Sequence, residues 1–271
     1  MKKINFLLLV FTLFFITSCG MINREYNNSI NNKVVSVEDY TIDEFQDAIV
    51  VATEKAEASC ISVVDNGVIS SSIGSAVVIK RINYRGGTEI DDPLQASTFE
   101  YYAITNFHVV EGYSKSINVY LKQNILEDHY TAQAEIVKKS ETEDLVLIKF
   151  TSNIYIEPCT VNTKELKKGQ IVLAIGSPHS LEYYNTVTMG IVSHPNRWVT
   201  EDKVKVNYVQ HDASINPGNS GGGLFNINGQ LIGINTARIE DNSDYIYGIS
   251  LSIPVYDVVN EFGVEYFDNI A

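Results

Sequence analysis

The sequence predicts an all-β protein: a double six-stranded β-barrel with short N- and C-terminal helices. Three observations predict it. About a dozen short runs are rich in β-branched and aromatic residues and are separated by polar turns. These runs fall into two groups of roughly six, which suits two barrels. Helical periodicity is confined to the two flanks of this region.

The first group comprises SCISVVD, SAVVIK, YYAITN, INVYL, AEIVK and DLVLIKF. The second comprises QIVLAIG, NTVTMGIVS, KVNYVQ, GGLFN, QLIGINT and IYGISLSI. Within the second, the Asn-Gly of NING (Asn226 to Gly229) signals a tight hairpin turn. The seam between the barrels is expected near residues 155–168. At the N-terminal flank Thr41 and Glu44 stand at capping-box spacing, and Phe45, Ile49 and Val50 follow at helical intervals. This predicts a helix over about 42–56. At the other flank Pro254 can open a last helix, PVYDVVNEF, at its first position. Residues 81–100 carry no strand pattern and read as a long solvated loop. Glu89, Asp91 and Asp92 within it lack the spacing of an EF-hand calcium loop.

The chain has 271 residues, of which 45% are apolar, enough to bury a sizeable core. Lys and Arg number 20 against 33 Asp and Glu, a net charge of -13, which argues against a nucleic-acid partner. Lys2 and Lys3 precede an apolar run from Phe6 to Ile16. That run is short of the ~20 residues of a membrane span and fits the hydrophobic part of an export signal. Its ending, ITSC, resembles the bacterial lipobox. The resemblance implies a lipoprotein signal peptide over 1–18, cleavage before Cys19, and attachment to a membrane through a lipid on Cys19. The Asn-rich stretch that follows reads as a flexible tether over 19–41, leaving 42–271 as the folded domain. Two cysteines remain, Cys60 and Cys159. They read as buried thiols, with a disulfide as the alternative that an oxidising compartment permits. No Cys or His spacing suits zinc, so no metal and no cofactor is expected.

The stretch NPGNSGGG places Ser220 among Gly218, Gly221, Gly222 and Gly223. A serine hydroxyl is a weak nucleophile that needs a base, a group to orient the base, and donors for the developing oxyanion. Glycines beside it keep an approaching carbonyl unobstructed. The N–H groups of Gly218 and Ser220 converge only if the backbone there bends sharply. Of five histidines, His108 has the distinctive setting: a strand ends and a short helical turn begins. Asp144 stands immediately before an apolar strand, where a carboxylate is partly buried and can hold the Nδ1–H of an imidazole. Glu143 should point to the opposite side of an extended segment.

With TNFHVV (Thr105 to Val110), EDLVLIKF (Glu143 to Phe150), AIGSP (Ala174 to Pro178), NTVTMGIVS (Asn185 to Ser193) and DASINPGNSGGGLFNINGQLIGINT (Asp212 to Thr236), the chain resembles a trypsin-like, chymotrypsin-fold serine protease of the HtrA/DegP type. The motifs run from about residue 58 to 255. The resemblance implies a serine endopeptidase acting on envelope or secreted proteins, with His108, Asp144 and Ser220 as catalytic residues and Gly218 and Ser220 as the oxyanion hole. It implies Ser214 at the floor of the substrate pocket and Asn235, Thr236 and Ala237 in its wall, suited to small or medium apolar side chains. A glutamyl endopeptidase, with Arg238 binding acidic residues, is the sub-class alternative.

Three departures stand out. Gly223 takes the place of the usual proline, which implies a packing change. His211 replaces a threonine or another polar residue and reads as a partly exposed strand histidine. The chain ends soon after its last helix, so no PDZ domain is expected, and the resemblance does not carry over a subunit number. A reading of a different class is a non-cleaving, chaperone-like or peptide-binding lipoprotein that keeps the barrels.

Overall fold

The computed structural model describes residues 41–66, 71–111, 117–121, 130–201, 204–241 and 244–271. The leader, most of the tether and Cys19 lie outside the described residues. The chain divides into two units, Met1–Phe45 and Gln46–Ala271. In the first, the Thr41 N–H donates to Glu44 Oε2 at 2.7 Å and the Glu44 N–H to Thr41 Oγ1 at 3.2 Å, the reciprocal capping box that starts helix α1 (Ile42–Glu57).

In the second unit the strands are β1 (Cys60–Asn66), β2 (Ser71–Arg85), β3 (Thr88–Ile90), β4 (Thr98–Thr105), β5 (Ile117–Leu121), β6 (Tyr130–Ser140), β7 (Leu145–Ser152), β8 (Thr160–Val161), β9 (Ile171–Gly176), β10 (Thr186–Glu201), β11 (Val204–His211), β12 (Gly223–Asn226), β13 (Leu231–Asp241), β14 (Asp244–Pro254) and β15 (Asn269–Ile270). Helix α2 (Phe107–Val110) follows β4 and α3 (Val255–Phe262) follows β14. The order β1-β5-β6-β7-β4-β2 closes through a β1–β2 pairing. The order β12-β9-β10-β11-β14-β13 closes through a β12–β13 pairing. Each predicted run lies within or overlaps one of these twelve barrel strands.

Strand alternation explains why several runs are apolar without a break. On β2, Ala76 and Val78 pack with Tyr101, Val119 and Ile148, while Val77 and Ile79 pack with residues of the second barrel such as Leu173 and Ile175. On β7, Val146 and Ile148 join the first of these clusters, and Leu145 and Leu147 the second. On β9, Val172 and Ala174 belong to a third cluster with Leu224 and Ile232. One face of each strand fills its own barrel and the other face fills the contact between barrels. Cys60 and Cys159 are free, buried thiols of the inter-barrel cluster. Burial pushes the Cys60 thiol up to about 12 and Cys159 upward as well.

Two expectations need correction. Residues 81–100 are not an unpatterned loop. β2 runs on to Arg85, turns at Gly86-Gly87, and pairs with β3 through Arg85↔Thr88, Tyr84↔Glu89 and Asn83↔Ile90. Asp92 then caps a short helical turn by accepting the Leu94 N–H at 2.9 Å. The Gly-Gly hairpin signal was present, but the polar strands beside it hid the pattern. His211 does lie on a strand, β11, but it is fully buried.

The His211 Nε2 lies 3.0 Å from Ser252 Oγ, and that hydroxyl donates to Asn235 Oδ1 at 2.9 Å. With the serine proton committed, the ring donates from Nε2 and is neutral. Burial holds its pKa down at about 4, against the opposing pull of Asp212 and the Ala213 main chain. The unfolded chain therefore takes up this proton first as pH falls. The stabilising effect is complete above about pH 6.5 and is lost towards pH 4, a change of about 3 kcal/mol. We expect urea midpoints to fall between pH 7 and pH 4.5, with a shallower fall in His211→Gln. Parallel slopes in the two proteins would rule this origin out.

Candidate active site

Helix α2 begins where β4 leaves the first barrel, and its leading N–H groups have no partner within the helix. The main chain and carboxylate of Asp144 supply them. The Phe107 N–H donates to Asp144 O at 3.1 Å, and the His108 N–H donates to Asp144 Oδ1 at 2.9 Å. The Asn106 side chain also donates to Asp144 O, at 2.9 Å. The Asp144 backbone has φ 51°, a left-handed conformation that aspartate tolerates better than most residues. The extended geometry expected for Glu143-Asp144 is thus replaced by a turn. Glu143 does not pair with the histidine. Its carboxyl is held above the ordinary range by burial first, then by Asp257 and Glu261.

Asp144 also orients the imidazole. Its Oδ2 lies 2.8 Å from His108 Nδ1 and accepts the Thr236 hydroxyl at 2.7 Å. A carboxylate oxygen accepts, so the proton of this pair sits on Nδ1. The His108 side chain is 45% exposed and that of Asp144 28%, so the ring faces the surface while the carboxylate is more enclosed.

Ser220 stands in the loop between β11 and β12. Its hydroxyl donates to the carbonyl of Thr236 at 3.1 Å. Thr236, on β13, thus touches Asp144 through its side chain and Ser220 through its main chain. Through it Ser220 is linked to the Asp144–His108 pair, although no hydrogen bond joins Ser220 to the His108 ring among the described residues. The loop is fixed on both sides: Gly221 N–H donates to Asn235 O and Asn235 N–H to Gly222 O, both at 2.8 Å.

The same bonds set the direction of two N–H groups. Pro217 O accepts the His179 N–H at 2.8 Å, and Asn219 O accepts the Gly222 N–H at 2.9 Å. In a trans peptide the N–H points opposite to its carbonyl. The N–H groups of Gly218 and Ser220 are therefore aimed away from these anchors, and among the described residues neither has an acceptor.

The glycines are also required by the packing of the loop itself. They make room for neighbouring atoms of the protein, backbone at Gly218 and Gly222, backbone and a hydroxyl at Gly221, and side chains at Gly223. Gly218 has φ 101°, and a Cβ there would meet Ser177 O and the His179 N–H. Gly221 has φ 83°, and a Cβ would strike Ser75 O and the Thr105 hydroxyl. At Gly222 it would meet Ile175 O, and at Gly223 the ring of Phe225. The buried Phe225 ring occupies the space that a proline at 223 would need. Gly221→Ala should cost at least about 2 kcal/mol. A thermal melt should show Tm lowered by roughly 4–8 °C, and an unchanged Tm would contradict the close packing.

The expected substrate pocket fares differently. Ser214 is exposed and its carbonyl accepts the Thr188 hydroxyl at 2.7 Å. Asn235 is fully buried, with its amide donating to Gly223 O at 2.9 Å and its Oδ1 accepting from Ser252, so its side chain is committed to the barrel interior. Thr236 lies at the site, but its hydroxyl serves Asp144. Its role went unseen because β13 gives no sign of where a hydroxyl ends up. The side chains of Ala237 and Arg238 lie outside the described residues. Their backbones pair with Leu251 and Ser250.

The Trypsin-like peptidase domain family matches residues 74–234, a span that holds His108, Asp144 and Ser220 and ends two residues before Thr236. The chain belongs to the trypsin-like peptidase family. This trypsin-like peptidase domain is 35% identical over 240 residues to the Serine protease Do-like HtrA of Lactococcus lactis subsp. lactis, covering 85% of the chain and 53% of that protein. It is 38% identical over 154 residues to a Probable periplasmic serine endoprotease DegP-like of Halomonas elongata, covering 57% of the chain and 30% of that protein. A solved HtrA-type protease, AlgW with tripeptide, superposes with TM-score 0.61 at 28% identity, covering 78% of this chain and 61% of that one. The chain spans about half the length of the curated relatives that head these matches. No described helix of the trypsin-like peptidase domain is long and apolar enough to cross a membrane.

Proposed function

We propose that this protein is a serine endopeptidase of the HtrA type that cleaves exported or envelope proteins through His108, Asp144 and Ser220. The observation that carries the reading is the Thr236 relay, which ties Ser220 Oγ at 3.1 Å and Asp144 Oδ2 at 2.7 Å to one residue, with His108 Nδ1 2.8 Å from the same carboxylate oxygen.

In the proposed reaction the Ser220 hydroxyl turns from Thr236 O to His108 Nε2. Its oxygen bonds to the substrate carbonyl carbon as the proton passes to Nε2. The carbonyl oxygen becomes an oxyanion held by the N–H groups of Gly218 and Ser220. The C–N bond breaks as His108 returns the proton to the leaving amine, which leaves an acyl group on Ser220. Water then attacks the acyl carbon while His108 takes its proton, and the serine is released with that proton restored. Asp144 stays ionised and stabilises the imidazolium.

The reading includes a lipoprotein leader over 1–18, a lipid on Cys19, a tether to residue 41 and a peptidase domain over 42–271. The apolar run that ends in ITSC supports export and membrane attachment.

A fluorophosphonate probe tests the chemistry. Wild type should become labelled on Ser220, and Ser220→Ala should not. Folded wild type that never labels, or Ser220→Ala that labels equally, defeats the proposal.

A further inference from the structure

We propose that Ser75, a buried serine of the first barrel, is a positioning residue for the oxyanion donors of the second. The inference rests on the peptidase reading and adds a residue which that reading leaves out. Ser75 lies on β2 and is 1% exposed. Its hydroxyl accepts the Ser177 N–H at 2.9 Å and donates to Gly218 O at 2.8 Å. Its own N–H donates to Ser220 O at 2.8 Å. Its carbonyl accepts the Thr105 hydroxyl at 2.7 Å. One residue therefore holds the carbonyls of both residues whose N–H groups are the proposed donors.

The side chain matters because of what Gly218 is. A glycine offers little steric resistance to rotation about φ and ψ. Its N–H lies in the plane before its Cα, and how firmly that plane keeps its place in the loop depends also on what grips the plane that follows. The plane before it is held through Pro217 O by the His179 N–H, and the plane after it is held through Gly218 O by the Ser75 hydroxyl. Removing that hydroxyl leaves Gly218 O and the Ser177 N–H buried without this partner, and leaves the second plane held only from its other side, where the Asn219 N–H donates to Asn216 O at 2.9 Å. Oxyanion donors act through fixed aim, so looseness at this point is expected to act on the transition state more than on substrate binding.

The test compares Ser75→Ala with wild type, using a fluorogenic peptide, the rate of fluorophosphonate labelling and a thermal melt. Alanine keeps both backbone bonds and removes only the hydroxyl. We expect kcat to fall about 10- to 100-fold, KM to stay within about two-fold, and labelling, which also passes through an oxyanion, to slow in step. Ser62→Ala is the control. Ser62 is fully buried on the same barrel and donates to Ser177 Oγ at 2.6 Å, and it has no bond to residues 218–220. It should lose comparable Tm and keep its kcat. Ser75→Cys, with a weaker donor at similar volume, should give an intermediate kcat. It decides the matter alone if the alanine variant does not accumulate. Wild-type kcat in the informative Ser75 variant, or an equal kcat loss in Ser62→Ala, overturns the proposal and leaves the peptidase reading standing. Wild type that neither labels nor cleaves overturns both.

Discussion

Ser220→Ala is expected to lower kcat on a fluorogenic peptide by about 10⁶-fold. Alanine removes the only atom that can form the acyl bond and leaves the loop intact, because the Ser220 carbonyl still accepts the Ser75 N–H at 2.8 Å. The aimed N–H groups of Gly218 and Ser220 also remain. Residual turnover should therefore stay roughly 10³–10⁴ above the uncatalysed rate. A second change sharpens the test. Once Ser220 is gone, His108 has no serine proton to accept, so adding His108→Ala should cost almost nothing further. If the two losses multiplied instead, His108 would have a role separate from Ser220 and the proposed unit would break apart.

Asp144→Asn should lower kcat by about 10⁴-fold, the size that an aspartate-to-asparagine change has in a template triad. The local geometry explains why so similar a side chain is so damaging. The Asp144 carboxylate accepts three hydrogens, from the His108 N–H, the His108 ring and the Thr236 hydroxyl. An asparagine amide nitrogen donates and cannot accept. With its oxygen kept on the α2 backbone, its NH₂ faces Nδ1 and favours the tautomer with the proton on Nε2, the wrong atom for a base. KM should stay near wild type, since no substrate contact is removed. A variant with full kcat would show that the carboxylate has no part in orienting the ring.

The barrels were legible because their signals are local. INVYL coincides with β5, and PVYDVVNEF carries α3 from its second residue to its last. The expected capping box of Thr41 and Glu44 is also present, since its partners are three residues apart. The long hairpin of β2 and β3 was missed although Ile82 and Tyr84 alternate with Arg81, Asn83 and Arg85, because two apolar residues among charged ones make a short and weak strand signal. His211 was taken as partly exposed because a polar residue between Gln210 and Asp212 reads as a surface position. The strand turns it instead to Ser252, with which it shares a hydrogen bond inside the barrel.

Periodicity and short motifs are written in neighbouring residues, and they were enough to mark the twelve barrel strands, the flanking helices and the order of His108, Asp144 and Ser220 along the chain. It took the folded barrels to reveal that Thr236 joins Asp144 to Ser220, that Asp144 sits in a left-handed turn, and that Ser75 reaches Gly218 across 143 positions of chain. A hydroxyl's partner is chosen by which acceptor the packed barrels bring within about 3 Å, and no local pattern encodes that distance.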